Sequence, residues 1–491
     1  MIKKVLIANR GEIALRIMKT LRKMGIRSVA VFSDVDRSAP FVLYADEAVC
    51  IGPAPSSQSY LDEDKIIATA LDRACDAIHP GYGFLSENAN FAARVIKQGL
   101  IFIGPNPKAI EQMGSKLQAK EAAKKAGAPL VPGTDTPISN KAEAKRIAAE
   151  IGYPILLKAA AGGGGKGMRI VESEAVFDEQ LERAASEALS SFGDDAVFIE
   201  RYISSPRHIE IQILADEHGQ VIHLNERECS IQRRHQKVIE EAPSSALNSD
   251  LREAMGTTAV RIAKACQYTN AGTVEFLIDN EGNYYFLEMN TRLQVEHPVT
   301  EWTTGIDLVE EQIHIASGHP LRYQQSDIQI KGHAIELRVY AEDPLNGFLP
   351  STGILSHYRP PKGHGIRVDD GFREGMEVPI YYDPMLAKLI TYGKTRSEAI
   401  DTMRKAIASY DIRGVATTLD FAAFVMRHPA FVEGRYDTHF VDKYFNQVEN
   451  KDNKMHKAII AARVWETLGK EILLRSSFSD IWESARKNQI Q

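Results

Sequence analysis

The chain opens on a short apolar run, Val5-Leu6-Ile7-Ala8, followed by Gly11 and then by Ile13, Ile17, Leu21 and Met24 at helical spacing, until Gly25 stops the pattern. Ser28 to Phe32 predicts a second buried strand. The strand-helix-strand order continues to about residue 105, with Ala77-Ile78 and Leu100 to Ile103 as further strands. It predicts a parallel α/β unit whose functional loops lie at the carboxyl ends of the strands. No G-x-G-x-x-G occurs in the first turn, so this is not a dinucleotide fingerprint.

From about Gly114 the pattern changes to a Lys- and Ala-rich helix, Ser115 to Ala126, and then to the Pro-marked segment Pro129 to Pro137. A helix over 141–150 leads into the strand Ile155-Leu156-Leu157-Lys158 and a glycine run. Beyond Glu200 the alternation of Ile209, Ile211 and Ile213 predicts a strand-rich region. A boundary falls near 318–333, after which strands mix with a helix over 396–410. After the polar linker Glu449 to Lys454, Ile460, Val464, Leu468 and Ile472 form an amphipathic stripe, which either docks on its own body or meets a partner subunit. The expected divisions are 1–113 (N-terminal α/β), 114–317 (with a lid at about 131–203), 334–445, and a helical tail 446–491.

At 491 residues the chain exceeds one ordinary core, and 44% hydrophobic with 25% charged residues excludes wholesale disorder, collagen and coiled coils. A net charge of −6 argues against nucleic-acid and anionic-membrane partners, although it leaves room for a local basic pocket. No run reaches the roughly 18–20 apolar residues that span a bilayer. The apolar start is cut by Asn9-Arg10-Gly11-Glu12, too early for a signal peptide. Cys50, Cys75, Cys229 and Cys266 lie far apart with no C-x-x-C pair, which fits a reducing, cytoplasmic setting.

Chemistry enters with Gly162-Gly163-Gly164-Gly165-Lys166-Gly167, set between a strand ending at Lys158 and the strand Met168 to Val171. Such glycines can point successive N–H groups at phosphates, while Lys166 adds charge. A Walker loop is excluded because Gly167 follows the lysine. The run reads as a hairpin lid able to close over a triphosphate, with a flexible linker as the bland alternative. Further on, 272–279 and 284–290 read as two strands around Asn280-Glu281-Gly282-Asn283. If Asp279 pairs with Tyr284, Glu275 lies opposite Glu288. Facing carboxylates repel unless a cation sits between them, and Glu275, Glu288 and the amide of Asn290 suit magnesium held with phosphates. The period-two pattern runs on through Arg292, Gln294 and Glu296 and favours an extended continuation, against a helix with i,i+4 ion pairs that Pro298 would soon end. That row suggests an anion held beside a metal and deprotonated. Glu226 to Lys237 is dense in hydrogen-bond donors, although a solvated charged face is the ordinary alternative. His79 to Asn88 is a turn-rich loop at a strand end.

Together, Ala8 to Ala14, the loop His79 to Asn88, Gly162 to Met168, and Glu288-Met289-Asn290-Thr291-Arg292-Leu293-Gln294-Val295-Glu296-His297-Pro298 resemble biotin carboxylase, an ATP-grasp enzyme, over residues 1 to about 445. The resemblance implies a mixed α/β fold: an N-terminal parallel α/β part, an ATP-grasp part with a glycine lid, and a C-terminal α+β part. It implies ATP contacts from Lys116, Lys158, Gly164, Gly165, Lys166, Glu200, Tyr202, Ile203, His208, Gln232 and His235. It implies magnesium or manganese at Glu275, Glu288 and Asn290, and bicarbonate at Lys237, Arg292, Gln294 and the Val295 backbone. Glu296 would be the base, Arg338 the residue that supports the biotin enolate, and Tyr82 a further biotin contact. No Ala-Met-Lys-Met biotinylation signal occurs, so biotin is expected on a separate carrier chain, with carboxyltransferase subunits as further partners and a homodimer as the assembly. Another ATP-grasp ligase would share the lid and the metal carboxylates but not the run through Glu296, nor Arg338. A catalytically silent ATP-binding module is the second alternative.

Overall fold

β1 (Lys4–Ile7) is buried along Val5, Leu6 and Ile7, as expected for a strand with layers on both faces. It pairs in parallel with β2 (Arg27–Ser33) on one side and β4 (Ala77–His79) on the other. β3 (Glu47–Gly52) and β5 (Ile101–Phe102) complete the order β3-β2-β1-β4-β5. Period-two burial is weak in β3, and the sequence patterning had not flagged it. The winding direction reverses between β1 and β4, so their carboxyl ends form the crevice where a parallel sheet places ligands. Asn9 fastens that crevice by donating Nδ2 to the carbonyls of Pro80 (2.7 Å) and Tyr82 (2.8 Å). Gly81 sits at φ +65°, where a Cβ would lie 2.9 Å from Asn9 Nδ2, so only glycine fits this close approach.

This computed structural model describes residues 2–445 except 135, 139, 160–167 and 194. The glycine run with Gly164, Gly165 and Lys166, and the whole tail 446–491 with its predicted amphipathic helix, therefore lie outside the described residues. Met1–His439 form one compact unit and Phe440–Gln491 a second, of which a short π-helical turn, Val441–Phe445, is described.

A small antiparallel sheet is built from β6 (Ile155–Ala159), β7 (Met168–Val171) and β8 (Val197–Arg201) in the order β7-β6-β8. Lys158 faces Met168, so the two strands bracketing the glycine run are hairpin neighbours, as their sequence positions predict. The helices Lys116–Lys125, capped by Ser115, and Lys141–Ile151, capped by Asn140, match the expected ones within two residues.

The large sheet is antiparallel throughout. It contains β9 (Arg207–Ala215), β10 (Val221–Arg233), β11 (Gln236–Ala242), β12 (Asn270–Ile278), β13 (Tyr284–Asn290), β14 (His333–Tyr340), β15 (Ile366–Asp370) and β16 (Met385–Gly393). Their order is β13-β12-β9-β10-β11-β14-β16-β15. The β11–β14 pairing carries the hydrogen-bonded ladder straight across the segment 318–333. β9 is buried on both faces, Glu210 and Gln212 as fully as Ile209, Ile211 and Ile213. The polar positions of its alternating pattern therefore face a polar interior, not solvent.

One expectation needs correction. The extended pattern through Glu296 stops at Asn290; residues 291–296 turn, and a helix His297–Thr304 follows. Pro298 begins that helix, where its fixed φ and missing N–H are harmless, and does not end one. For the donor-rich stretch 226–237, burial of Glu226, Arg227, Glu228, Ser230 and Gln232 removes the alternative of a solvated face.

Candidate active site

The facing-glutamate register holds, although by a different route. Ile278, not Asp279, pairs with Tyr284, and the hairpin closes through Asp279 N–H to the Asn283 carbonyl (2.9 Å). A bulge at Leu287 then adds one residue to β13 and brings Glu288 opposite Glu275. Partial loss of water around the carboxyl and the charge of Glu275 push Glu288 up, although the residue remains exposed at the surface. Burial acts on Glu275, but Lys237 and His208 outweigh it and hold that carboxyl well below its ordinary value. Two carboxylates driven apart in this way, beside a carboxamide, form a hard-oxygen donor set suited to a divalent cation. Asn290 directs Nδ2 at Glu275 Oε1 (2.9 Å) and accepts from Arg292 at Oδ1 (3.2 Å), so it can serve as a ligand only with its amide reversed.

Lys237, at the start of β11, donates to three carboxylates: Glu210 (2.5 Å), Glu275 (2.8 Å) and Glu296 (2.8 Å). Burial works against its charge, yet these three anions raise its pKa well above the ordinary value. His208 Nε2 lies 2.8 Å from Glu275 Oε2, and Gln232 Nε2 lies 2.7 Å from its Nδ1. On β14, Arg338 donates Nε to Glu240 (2.7 Å) and Nη2 to Glu296 (2.9 Å). Burial alone would raise the pKa of Glu296; Lys237, Arg338 and Arg227 together pull it well below the carboxylate range.

Arg292 is held by Glu87 (2.9 Å) and by Gln294 Oε1 (3.0 Å), which joins the turn after β13 to the loop after β4. Gln294 is itself buried. The Val295 carbonyl accepts from Lys388 Nζ at 2.9 Å, and the same ammonium lies 3.3 Å from Glu12. Tyr82 donates to Glu12 as well, so the parallel-sheet crevice opens onto this cluster.

Other expected residues lie apart from it. Lys158 pairs with Glu200, whose second oxygen takes Lys120 at 2.5 Å; burial opposes the Glu200 charge, but the two lysines hold its pKa down. Lys116 opens its helix, and Tyr202 and Ile203 are half-buried after β8. His235 is exposed in the β10–β11 turn at φ +67°.

Sequence reasoning missed Glu210, Glu240 and Lys388, and gave no individual role to Glu12, Glu87 and Arg227 within the stretches it singled out. Arg227 is fully buried and donates to Glu210, to Gln212 (2.7 Å), and to Thr273 and Thr300 (both 3.0 Å). Its signal was available: Glu210 and Gln212 share one face of β9, and a charged face on a strand of a large sheet asks for a counter-charge on its neighbour.

Three family profiles cover this chain: "Biotin carboxylase, N-terminal domain" over residues 1–110, "Carbamoyl-phosphate synthase L chain, ATP binding domain" over 115–324, and "Biotin carboxylase C-terminal domain" over 336–443. Biotin carboxylase 1 of Bacillus subtilis is 52% identical over 90% of this chain and 99% of its own length. The chain belongs to the biotin carboxylase family. Another member, the mitochondrial propionyl-CoA carboxylase alpha chain of Sus scrofa, is 55% identical over 90% of this chain, which spans only 61% of that longer relative. Among solved family structures, the biotin carboxylase domain dimer of Hydrogenobacter thermophilus 2-oxoglutarate carboxylase, with MgADP, ADP and bicarbonate, matches with TM-score 0.84. It is 48% identical over 90% of this chain and 98% of its own. Family membership removes the alternative of another ATP-grasp ligase. Among the described residues no helix is long and apolar enough to cross a membrane.

Proposed function

We propose that this chain catalyses ATP- and bicarbonate-dependent carboxylation of biotin, with each residue in the role that follows. The observation that carries the proposal is the meeting of Lys237 and Arg338 on the one carboxylate of Glu296, beside the facing pair Glu275 and Glu288. Lys116, Lys158, Gly164, Gly165, Lys166, the residues 200–203, His208, Gln232 and His235 hold ATP. Magnesium or manganese at Glu275, Glu288 and Asn290 would neutralise charge on the phosphoryl oxygens. Lys237, Arg292, Gln294 and the Val295 backbone hold bicarbonate.

Glu296 is kept ionised by its cations. A bicarbonate anion that draws on Lys237 and Arg292 weakens that hold and raises the basicity of Glu296, so the base strengthens when its substrate arrives. Glu296 takes the bicarbonate proton, the freed oxygen attacks the γ-phosphorus, ADP leaves, and carboxyphosphate forms. Carboxyphosphate breaks down to CO2 and phosphate in a site shielded from water. The phosphate takes the N1′ proton of biotin, Arg338 with Tyr82 nearby supports the enolate oxygen, and the nitrogen attacks CO2. Glu296 returns its proton to solvent as products leave.

The same proposal divides the chain into 1–113, 114–317 and 334–445, in keeping with the segments the family profiles cover. It places the biotin on a carrier chain and passes the carboxyl group through a carboxyltransferase to an acyl-CoA or to pyruvate. It makes the chain a homodimer in the cytoplasm, in keeping with four unpaired cysteines. The test is ADP release from purified protein with free biotin. Turnover that requires both bicarbonate and biotin, and is abolished in Glu296→Gln, is expected. ATP binding with no biotin-dependent turnover would identify a silent nucleotide-binding module.

A further inference from the structure

Behind Arg338 lie two carboxyls with no place in the mechanism above. Glu240 on β11 and Glu336 on β14 are direct cross-strand partners, so their side chains share one face. Both are fully buried. Glu240 spends Oε1 on Arg338 Nε at 2.7 Å. Its Oε2, and both oxygens of Glu336, have no hydrogen-bond partner among the described residues.

The nearby cations are committed elsewhere. Arg338 serves Glu240 and Glu296; Lys237 serves Glu210, Glu275 and Glu296; Lys388 serves the Val295 carbonyl and Glu12. The charged and titratable groups facing the pair are therefore Arg338, Lys237, Lys388, Glu296, Tyr82 and Cys229. Two full negative charges side by side in this interior repel strongly, and an unsatisfied buried carboxylate oxygen is costly. A single proton removes both objections. An un-ionised Glu336 gains a hydroxyl that can donate to the orphan Oε2 of Glu240, and the pair keeps one negative charge for Arg338.

We propose that Glu240 and Glu336 share one proton and act as a positioning pair, in which Glu336 supplies the hydrogen bond and Glu240 the single charge that aims Arg338 at the biotin side of the site. Burial pushes both carboxyls up, and only Glu240 has a cation in direct contact, Arg338 at 2.7 Å. Loss of the shared proton at alkaline pH would set a second anion behind Arg338 and draw the guanidinium off Glu296. The inference rests on the reading of Arg338 as the biotin residue.

The test uses the full chain. Infrared spectra of protein carrying 13C-labelled glutamate should show a protonated-carboxyl stretch at neutral pH that disappears in Glu336→Gln. In biotin-dependent ADP release, the wild-type kcat should fall on the alkaline side. Glu336→Gln, which donates through its amide and cannot ionise, should move that limb up by at least one pH unit. Glu336→Leu should instead lower kcat at least tenfold at every pH while the KM for ATP stays within twofold. A stretch that survives Glu336→Gln, or an alkaline limb identical in both proteins, would overturn the proposal. If the Gln variant fails to fold, loss of the wild-type band with rising pH in step with kcat supports the pair, and a band absent at neutral pH refutes it. The infrared signal needs no turnover, so a band present in a protein without biotin-dependent activity leaves the pair standing and removes the reading of Arg338.

Discussion

Arg338→Gln offers the sharpest separation between the two halves of the proposed reaction. It deletes the cation shared by Glu240 and Glu296 through contacts of 2.7 and 2.9 Å, while the Lys237, Glu275 and Glu288 end of the site keeps its own bonds. Two charge-assisted bonds of this kind contribute about 1.5–3 kcal/mol each. Breaking a buried ion pair on one side destabilises a fold by about 3–5 kcal/mol, so the assay belongs well below the unfolding temperature. An electrostatic donor lost from a developing oxyanion lowers kcat by about 10²–10³-fold. The measurement pairs calorimetric titration of ATP with the steady-state rate of biotin carboxylation. The expected result is a dissociation constant for ATP within threefold of wild type beside the hundredfold or greater loss in kcat. A nucleotide affinity that falls in proportion to kcat would refute the reasoning, because Arg338 would then be serving the metal end.

Glu288→Gln should raise the magnesium concentration needed for half-maximal activity about tenfold, read from a metal titration of ADP release; an unchanged titration contradicts the facing-glutamate site. Lys388→Met removes the ammonium beneath the Val295 carbonyl and should raise the KM for bicarbonate about tenfold, or 1.4 kcal/mol, with a smaller change in the KM for ATP. Glu241 is buried against His333 (2.6 Å) and Arg396 (2.7 Å); burial opposes its charge, but these partners hold its pKa far below the carboxylate range. A depressed carboxyl contributes stability that is present above its unfolded pKa and lost as the pH falls through the folded one. Denaturant melts should therefore lose stability below about pH 4, and Glu241→Gln should be less stable at neutral pH with a flatter acid limb.

How much of this was legible depended on whether the chemistry lay within one short stretch. Glu275, Glu288 and the turn through Glu296 sit close in the chain, and their spacing alone led to a metal pair and an anion site. The register came out right while its starting pair was wrong, because the Leu287 bulge restores a residue that no alternation pattern reveals. Glu210, Arg227, Glu240 and Lys388 were harder to place for a different reason. Each is a charged residue in a strand, ordinarily a solvent-facing position, and becomes interior only because β9, β10, β11, β14 and β16 lie side by side. Strand order is a long-range property, so no local period encodes it. The turn at 291–296 was misread because a period of two persists through residues that bind one another as neighbours: Arg292 with Gln294, and Gln294 with Glu275.

The ladder between β11 and β14 has a further consequence for how the molecule breathes. Glu275 and Glu288 at the metal end and Arg338 at the biotin end hang on strands of one sheet, so these two ends of the site cannot drift apart without tearing it. The three-stranded sheet carrying Lys158 and Glu200 shares no ladder with it among the described residues. Deuterium uptake should therefore be two-speed: amides of β9 to β14 exchange only with global unfolding, while those of β6 to β8 exchange earlier as a separate cooperative unit.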